Sequence, residues 1–449
     1  MPRSTAQDLQ EHHQPLLETL PHRGLLDSRT GIVRSLREAR IPSHFPRDFL
    51  LVTAALSETT RFAPWASDPA GAGYAIGNPA AALGAALGEA AERYCGNAVP
   101  RELTRGTARQ LRRSGRRVVD LGRLALFSTE QLRSPGFPAV ALDDDLEVEW
   151  ARGADLGTGE EVLVPASLVW PSYAGSRGPG HPLTNPIVQA GLAAGQTRQD
   201  AVAAALREVV ERDAMTLSWY GGRGVLALVV PPWLELMGRG PGGALTTRWI
   251  ALHQEFGVPV VAALVQDSTT GYLSMGVGVG GAIDAAVKAL GEALQLLLVL
   301  ADYDDPSTGL GRAGGKPGSP LKAWRQDRRY GAAYRADRRD VVDYACHLQL
   351  HLDPAVQDAF DAELHAATRG SIPLEDLVET GSPGEELQTS GIAPVVVDLT
   401  TTDVRTSGLD VVRVVAPGLY SNSPLGLPFL GGHRLQPSRT NPPRTPWPH

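Results

Sequence analysis

Three short stretches of this chain place acid at one spacing. They are ALGEAAERYC (86–95), ALREVVERDA (205–214) and ALGEALQLLL (289–298), and each follows the pattern A-L-x-E-x-x-E/Q. Residues three apart share one face of a helix. The pairs are Glu89 with Glu92, Glu208 with Glu211, and Glu292 with Gln295, and Arg93, Arg212 and Lys288 accompany them. A single such helix would read as a solvated face, with Glu89 and Arg93 paired at i,i+4 for roughly 0.3 kcal/mol. Two features favour chemistry instead. The acidic faces are flanked by small residues, Ala81, Ala82, Ala85 and Gly88 in the first stretch and Ala201, Ala204 and Ala205 in the second. A solvated face would carry Lys, Gln and more Glu; small residues let something approach closely. The pattern also recurs, and repeated helices can converge on one cavity. Two carboxylates ~5 Å apart repel by roughly 3 kcal/mol at an effective dielectric near ~20. A hard divalent cation cancels that repulsion, and magnesium held by carboxylates commonly also holds phosphate. Arginine and lysine suit phosphate oxygens. The residues alone therefore point to a magnesium–nucleotide site built on helices, with a solvated acidic face as the alternative.

The elements that must position these residues belong to a large, loop-rich globular chain. It has 449 residues, 43% of them apolar, with 49 glycines and 35 prolines. A net charge of −7 suggests neither nucleic acid nor a membrane surface as a partner. The two cysteines, Cys95 and Cys346, cannot build a disulfide framework, and the first twenty residues contain no signal-type apolar run. A cytoplasmic setting is expected. The most apolar run, ALQLLLVLA, is too short to span a bilayer. Lysine occurs only at 288, 316 and 322, which makes Lys288 notable.

The pattern predicts helices over 79–95, 198–219 and 281–300, with strand pairs in LEVEWARGADLGTGEEVLVPASLVW and VPVVAALVQDSTTGYLSMGVGVG, and further strands at PVVVDLT and VVRVVAP. Strands and helices mix throughout, so the fold class is α/β, mixed α+β. Residues 1–62 read as a lead-in segment, 63–435 as the catalytic domain and 436–449 as a Pro-rich tail. The arginines of 101–123 read as a solvated basic helix and turn, or else as a docking surface for an acidic partner. Residues 303–340 read as an exposed insertion. GVGVGG (276–281) matches the dinucleotide fingerprint, but the strand before it pairs most simply as a hairpin. GLGRAGGKPGS lacks phosphate-loop spacing, and Pro317 stands where Ser or Thr should be.

AIGNPAAALGAALGEAAERY, GLAAGQTRQDAVAAALREVVERDA and AAVKALGEALQ, in that order, resemble the three nucleotide motifs of the YcaO family of ATP-dependent, peptide-backbone-modifying enzymes. With EVLVPASLVW and VVRVVAPGLYSNSPLGLPFLGG, the likeness covers most of 65–435. It implies a YcaO-type mixed fold in which acidic helices cradle ATP and several magnesium ions beside a sheet. By matching position, Glu89, Glu208, Glu211 and Glu292 would hold magnesium, and Glu92, Arg93, Arg212, Lys288 and Gln295 would contact nucleotide. The chain departs from the pattern at Gln189 and Ala190, where Ser-Asn is frequent, and at Lys288, where arginine is usual.

DSRTGIVRSL near the start and the ending Pro446-Trp447-Pro448-His449 resemble the azoline-forming cyclodehydratases, whose chains end in alternating prolines. Those enzymes convert Cys, Ser or Thr of a ribosomally made precursor peptide to thiazoline or oxazoline. The catalytic positions expected are Gln189, Pro448 and His449. Only about 60 residues precede the first motif, so the resemblance implies a separate leader-binding protein related to ubiquitin-activating enzymes. A flavin-dependent azoline dehydrogenase is a further expected associate, and a homo-oligomer or hetero-complex is expected. The alternatives are thioamide or amidine formation with the same ATP chemistry, and a nucleotide-binding subunit without turnover.

Overall fold

The computed structural model describes residues 6–9, 13–178, 180–435 and 445–449. The start of the tail, 436–444, lies outside them. Three sheets carry the chain. The first is a four-stranded antiparallel meander of Ala6–Asp8, Val33–Ala39, Phe49–Leu56 and Ala70–Ile76. The second runs Tyr272–Val279, Val260–Asp267, Leu245–Leu252, Val225–Val229 and Thr368–Pro373, with only the last pair parallel. The third runs Thr104–Gly106, Val148–Asp155, Val395–Asp398, Asp410–Val415 and Leu192–Gly195, and Glu161–Pro165 pairs beside its second strand.

Each acid-bearing helix follows an edge strand of a different sheet. We label the three units β1 (Ala70–Ile76) with α1 (Pro79–Asn97), β2 (Leu192–Gly195) with α2 (Arg198–Trp219), and β3 (Tyr272–Val279) with α3 (Ala282–Tyr303). Local chemistry sets the helix starts. Asn78 accepts from the Ala81 N–H ahead of Pro79, and Thr197 with Asp200 forms a capping box. Apolar stripes set the packing: Leu83, Leu87 and Ala90 on α1 and Leu290, Leu294 and Leu297 on α3 are buried.

Glycines let these helices lie against their strands. A Cβ on Gly73 would stand 2.2 Å from the Ala82 carbonyl oxygen, and one on Gly278 would stand 2.0 Å from that of Ala285. Gly195 meets Ala201 N at 2.3 Å in the same way. Ala82, Ala86, Ala201 and Ala285 of the acidic helices thus have a strand glycine as their close neighbour, while Ala81, Ala85 and Ala204 are exposed. Gly276 and Gly278 of GVGVGG serve this contact, on a strand that pairs antiparallel with Val260–Asp267 as a hairpin should.

One expectation is corrected, and another takes a shorter form. The 101–123 stretch forms a three-residue strand, a short helix, Ala108–Arg113, and a 3-10 turn, Leu121–Arg123, with its arginines at the surface. Arg105, Arg109, Arg112, Arg116 and Arg117 pair with Glu147, Asp145, Asp144, Glu161 and Glu160, acids of the following strands and turns. The 303–340 segment is exposed in part, yet Leu321, Tyr330 and Tyr334 anchor it in the core. No helix among the described residues is long and apolar enough to cross a membrane.

Candidate active site

An edge strand leaves a row of backbone N–H groups without strand partners. Here glutamates of the helices accept them. Glu89 Oε2 accepts from Ala72 N at 2.6 Å, between Gly71 and Gly73. Glu292 Oε2 accepts from Val277 N at 2.7 Å, between Gly276 and Gly278. Glu92 Oε1 accepts from Ala194 N at 2.7 Å, which ties α1 to β2, and Glu208 Oε2 accepts from Gly191 N at 2.9 Å. One oxygen of each carboxylate is thereby fixed by backbone. Glu211 is 1% exposed and lies 3.3 Å from both Arg212 and Lys288. Arg93 bridges Glu89 Oε1 and Gln189 Oε1, each at 2.7 Å. Gln295 lies half-buried one turn beyond Glu292.

The environment splits these carboxylates electrostatically. Burial, joined by the charges of Glu89 and Glu208, pushes Glu92 up to about 8. Burial also raises Glu208, against the pull of Arg212. Burial would raise Glu292 too, but the His449 imidazole, with Arg212 and Lys288 behind it, holds it below the usual carboxylate range. Glu92 and Glu208, pushed towards their neutral forms by burial and by neighbouring acids, make a setting that suits an added cation. Among the described residues no three His, Cys, Asp or Glu side chains stand close enough to hold one metal ion. The five glutamates share a neighbourhood and form no single cage. Magnesium fits such an arrangement, since it is commonly held by one or two carboxylates with phosphate and water completing its shell.

The chain's last residues reach this neighbourhood. The Pro448 carbonyl accepts from Met275 N at 2.6 Å, two residues before Val277 on the same free edge of β3. His449 Nε2 lies 3.0 Å from Arg212 Nη1 and 3.4 Å from Glu292 Oε1. The tail is anchored by Trp447, 7% exposed, with its ring 4.3 Å from that of Trp219. Trp219 Nε1 donates to Thr445 O at 2.9 Å, and Pro446 O lies 2.9 Å from His351 Nε2. The aromatic anchor gives residues 445–449 a fixed place.

Residues 73–420, which contain all three acidic helices, match the family model described as YcaO cyclodehydratase, ATP- and Mg2+-binding. The chain belongs to the YcaO family. Solved YcaO-type structures share its fold. A heterocyclase in complex with substrate and cofactor is 19% identical with a TM-score of 0.62, over 94% of this chain and 54% of that one. YcaO from Methanopyrus kandleri bound with AMPPCP and Mg2+ is 21% identical with a TM-score of 0.58, over 96% of both chains. The E. coli microcin synthetase McbBCD complex with pro-MccB17 bound is 12% identical with a TM-score of 0.58, over 94% of this chain and 98% of that one. A curated relative, the uncharacterized protein in the tfuA 3' region of Rhizobium leguminosarum bv. trifolii, is 33% identical over 146 residues, 32% of this chain. The match spans about a third of that relative's length, 31%.

The fold of this YcaO protein brings together Glu89, Glu92, Arg93, Glu208, Glu211, Arg212, Lys288 and Glu292, with Gln189 and His449 beside them. Sequence reasoning missed Arg413. It is fully buried on Asp410–Val415 and donates to the carbonyls of Val169, Val188, Gln189 and Ala190, fixing the turn that presents Gln189 and the Gly191 N–H. A signal was present, since one arginine interrupts the valines of VVRVV. Both cysteines are buried, and burial pushes the Cys95 thiol up to about 11, so neither is an activated nucleophile.

The Glu92 environment has a measurable consequence. Its folded value of about 8 exceeds the ordinary 4.5. Between those limits the folded chain keeps a proton that the unfolded chain releases, so stability falls as pH rises through the window. The melting temperature of the metal-free protein is expected to drop between about pH 5 and about pH 8. Glu92→Gln should flatten that slope, and an unaltered slope in the variant would assign the effect elsewhere.

Proposed function

We propose that this protein is an ATP- and magnesium-dependent cyclodehydratase that converts Cys, Ser or Thr of a ribosomally made precursor peptide to thiazoline or oxazoline. It would act with a separate leader-binding partner. The observation that carries this reading is the convergence of Glu89, Glu208, Glu211 and Glu292 with Arg93, Arg212 and Lys288, with Glu89 and Glu292 each fixed by a strand N–H and Glu208 by the N–H of Gly191 in the turn before β2. In this reading those four glutamates hold magnesium. Glu92, Arg93, Arg212, Lys288 and Gln295 contact the nucleotide or its ligands. ATP with magnesium, when bound, supplies the phosphoryl group that lets an amide oxygen leave as phosphate. The chain's own tasks are positioning, charge neutralisation and proton transfer.

The peptide's side-chain heteroatom bonds to the preceding carbonyl carbon and gives up its proton. The amide nitrogen later gives up its own, and the peptide loses one water in all. In this reading His449 takes part, supported by its Nε2 lying near a donor, Arg212, and an acceptor, Glu292. Gln189 holds Arg93 in place, and Pro448 pins the end to β3.

The test is mass analysis of a precursor peptide incubated with the protein, ATP and magnesium, with and without the leader-binding partner. Loss of water that becomes efficient only with the partner is the expected result. Exchange of oxygen for sulfur would move the reading to thioamide formation. Absence of phosphate release with peptide and partner present would make the chain a nucleotide-binding subunit.

A further inference from the structure

One residue of the site belongs to no repeat. Tyr74 stands on β1, two positions beyond Ala72, whose N–H holds Glu89. Its ring crosses to unit three and lies on Gly291, the residue before Glu292. A Cβ at Gly291 would come within 2.6 Å of Tyr74 Cδ2 and 2.8 Å of Cε2, so the bare glycine makes the crossing possible. Tyr74 is half-buried, and among the described residues its hydroxyl has no hydrogen-bond partner.

The nearby acceptors are already engaged. Glu89 has one oxygen on Ala72 and the other on Arg93. Glu292 has one on Val277 and the other beside His449. Burial, then the charges of Glu292 and Glu211, hold the Tyr74 phenol well above its ordinary value, against the opposing pull of Arg212. The phenol is therefore protonated, a donor without an acceptor, among groups from all three units. Its complement is an acceptor oxygen that arrives with a ligand, and Arg212 and Lys288 make an anionic one suitable.

We infer that the Tyr74 hydroxyl donates a hydrogen bond to a phosphate oxygen of the bound nucleotide and that Gly291 exists to admit the Tyr74 ring. The inference rests on the nucleotide reading above. It is tested with Tyr74→Phe, which keeps the ring on Gly291 and removes only the hydroxyl. Calorimetry would compare AMPPCP with Mg2+ against adenosine for wild type and variant, alongside melting of the unliganded proteins. The expected result is about tenfold weaker AMPPCP binding, the scale of one hydrogen bond to a charged acceptor. Adenosine affinity and unliganded melting should match wild type. Gly291→Ala, which drives the ring away, should reproduce the loss of AMPPCP affinity. Equal AMPPCP affinity in wild type and Tyr74→Phe overturns the inference, as does an equal loss for adenosine. Failure of wild type itself to bind AMPPCP with Mg2+ overturns the nucleotide reading and this inference with it, and the wild-type arm alone reveals that case.

Discussion

Glu208→Gln is expected to cut ATP turnover by about a hundredfold or more, the scale of losing one preorganised charge at a phosphoryl-transfer site. The fold should survive. Glu208 Oε2 accepts from Gly191 N at 2.9 Å, and a glutamine carbonyl can take the same N–H. Burial already favours the neutral form of Glu208, so removing its charge relieves the metal-free protein. The cost falls where a cation needs the negative charge. Phosphate release with peptide and partner present would be read beside thermal melting. Unchanged turnover would sink the metal assignment. A collapsed melting transition would make the carboxylate a structural group holding the turn at Gly191.

Removal of Pro446–His449 is expected to reduce cyclisation by about a hundredfold or more, the range of a lost general acid–base group. The proline-fixed ending loses little entropy on being held, which favours a defined position for His449. The deletion also strips Trp447 from Trp219 and Phe360, so the melting temperature should fall as well. Nucleotide affinity should change little, because the carboxylate and arginine groups of the three units remain. His449→Ala separates the two effects. It keeps Trp447, the terminal carboxylate and the Pro448 carbonyl on Met275, and removes only the imidazole between Arg212 and Glu292. Melting should stay near wild type while cyclisation falls. A C-terminal affinity tag should damage activity where an N-terminal one does not. Cyclisation at the wild-type rate by the four-residue deletion would remove the tail from the reaction.

Much of the scaffold was legible because its causes are local. The second helix runs Arg198–Trp219 as its period and its Thr197 cap indicate, and the β-branched runs at 260–267 and 395–398 are strands. The three carboxylate pairs announced themselves by spacing, which fixes what shares a helix face. Spacing does not fix what lies opposite that face. Glu92 and Glu292 come from one repeated pattern, yet one is driven up and the other held down, because Glu89 and Glu208 surround the first while His449 and Arg212 meet the second. The glycines of GVGVGG could suggest a dinucleotide turn; only the packed α3 shows that Gly276 and Gly278 admit a helix backbone. The arginines of 101–123 read as a solvated helix and turn, but the acids that pair with them come from the following turns and strands, which spacing alone does not show. Arg413 and Tyr74 took their places through contacts with residues 223–244 and 217 positions away, beyond the reach of any local pattern. The sequence by itself determined three amphipathic helices that carry acid at one spacing, since helix geometry acts over a single turn. The tertiary structure alone decided that each helix would cover the open edge of a different sheet, because an unpaired strand N–H is satisfied by whichever carboxylate the fold brings within about 3 Å.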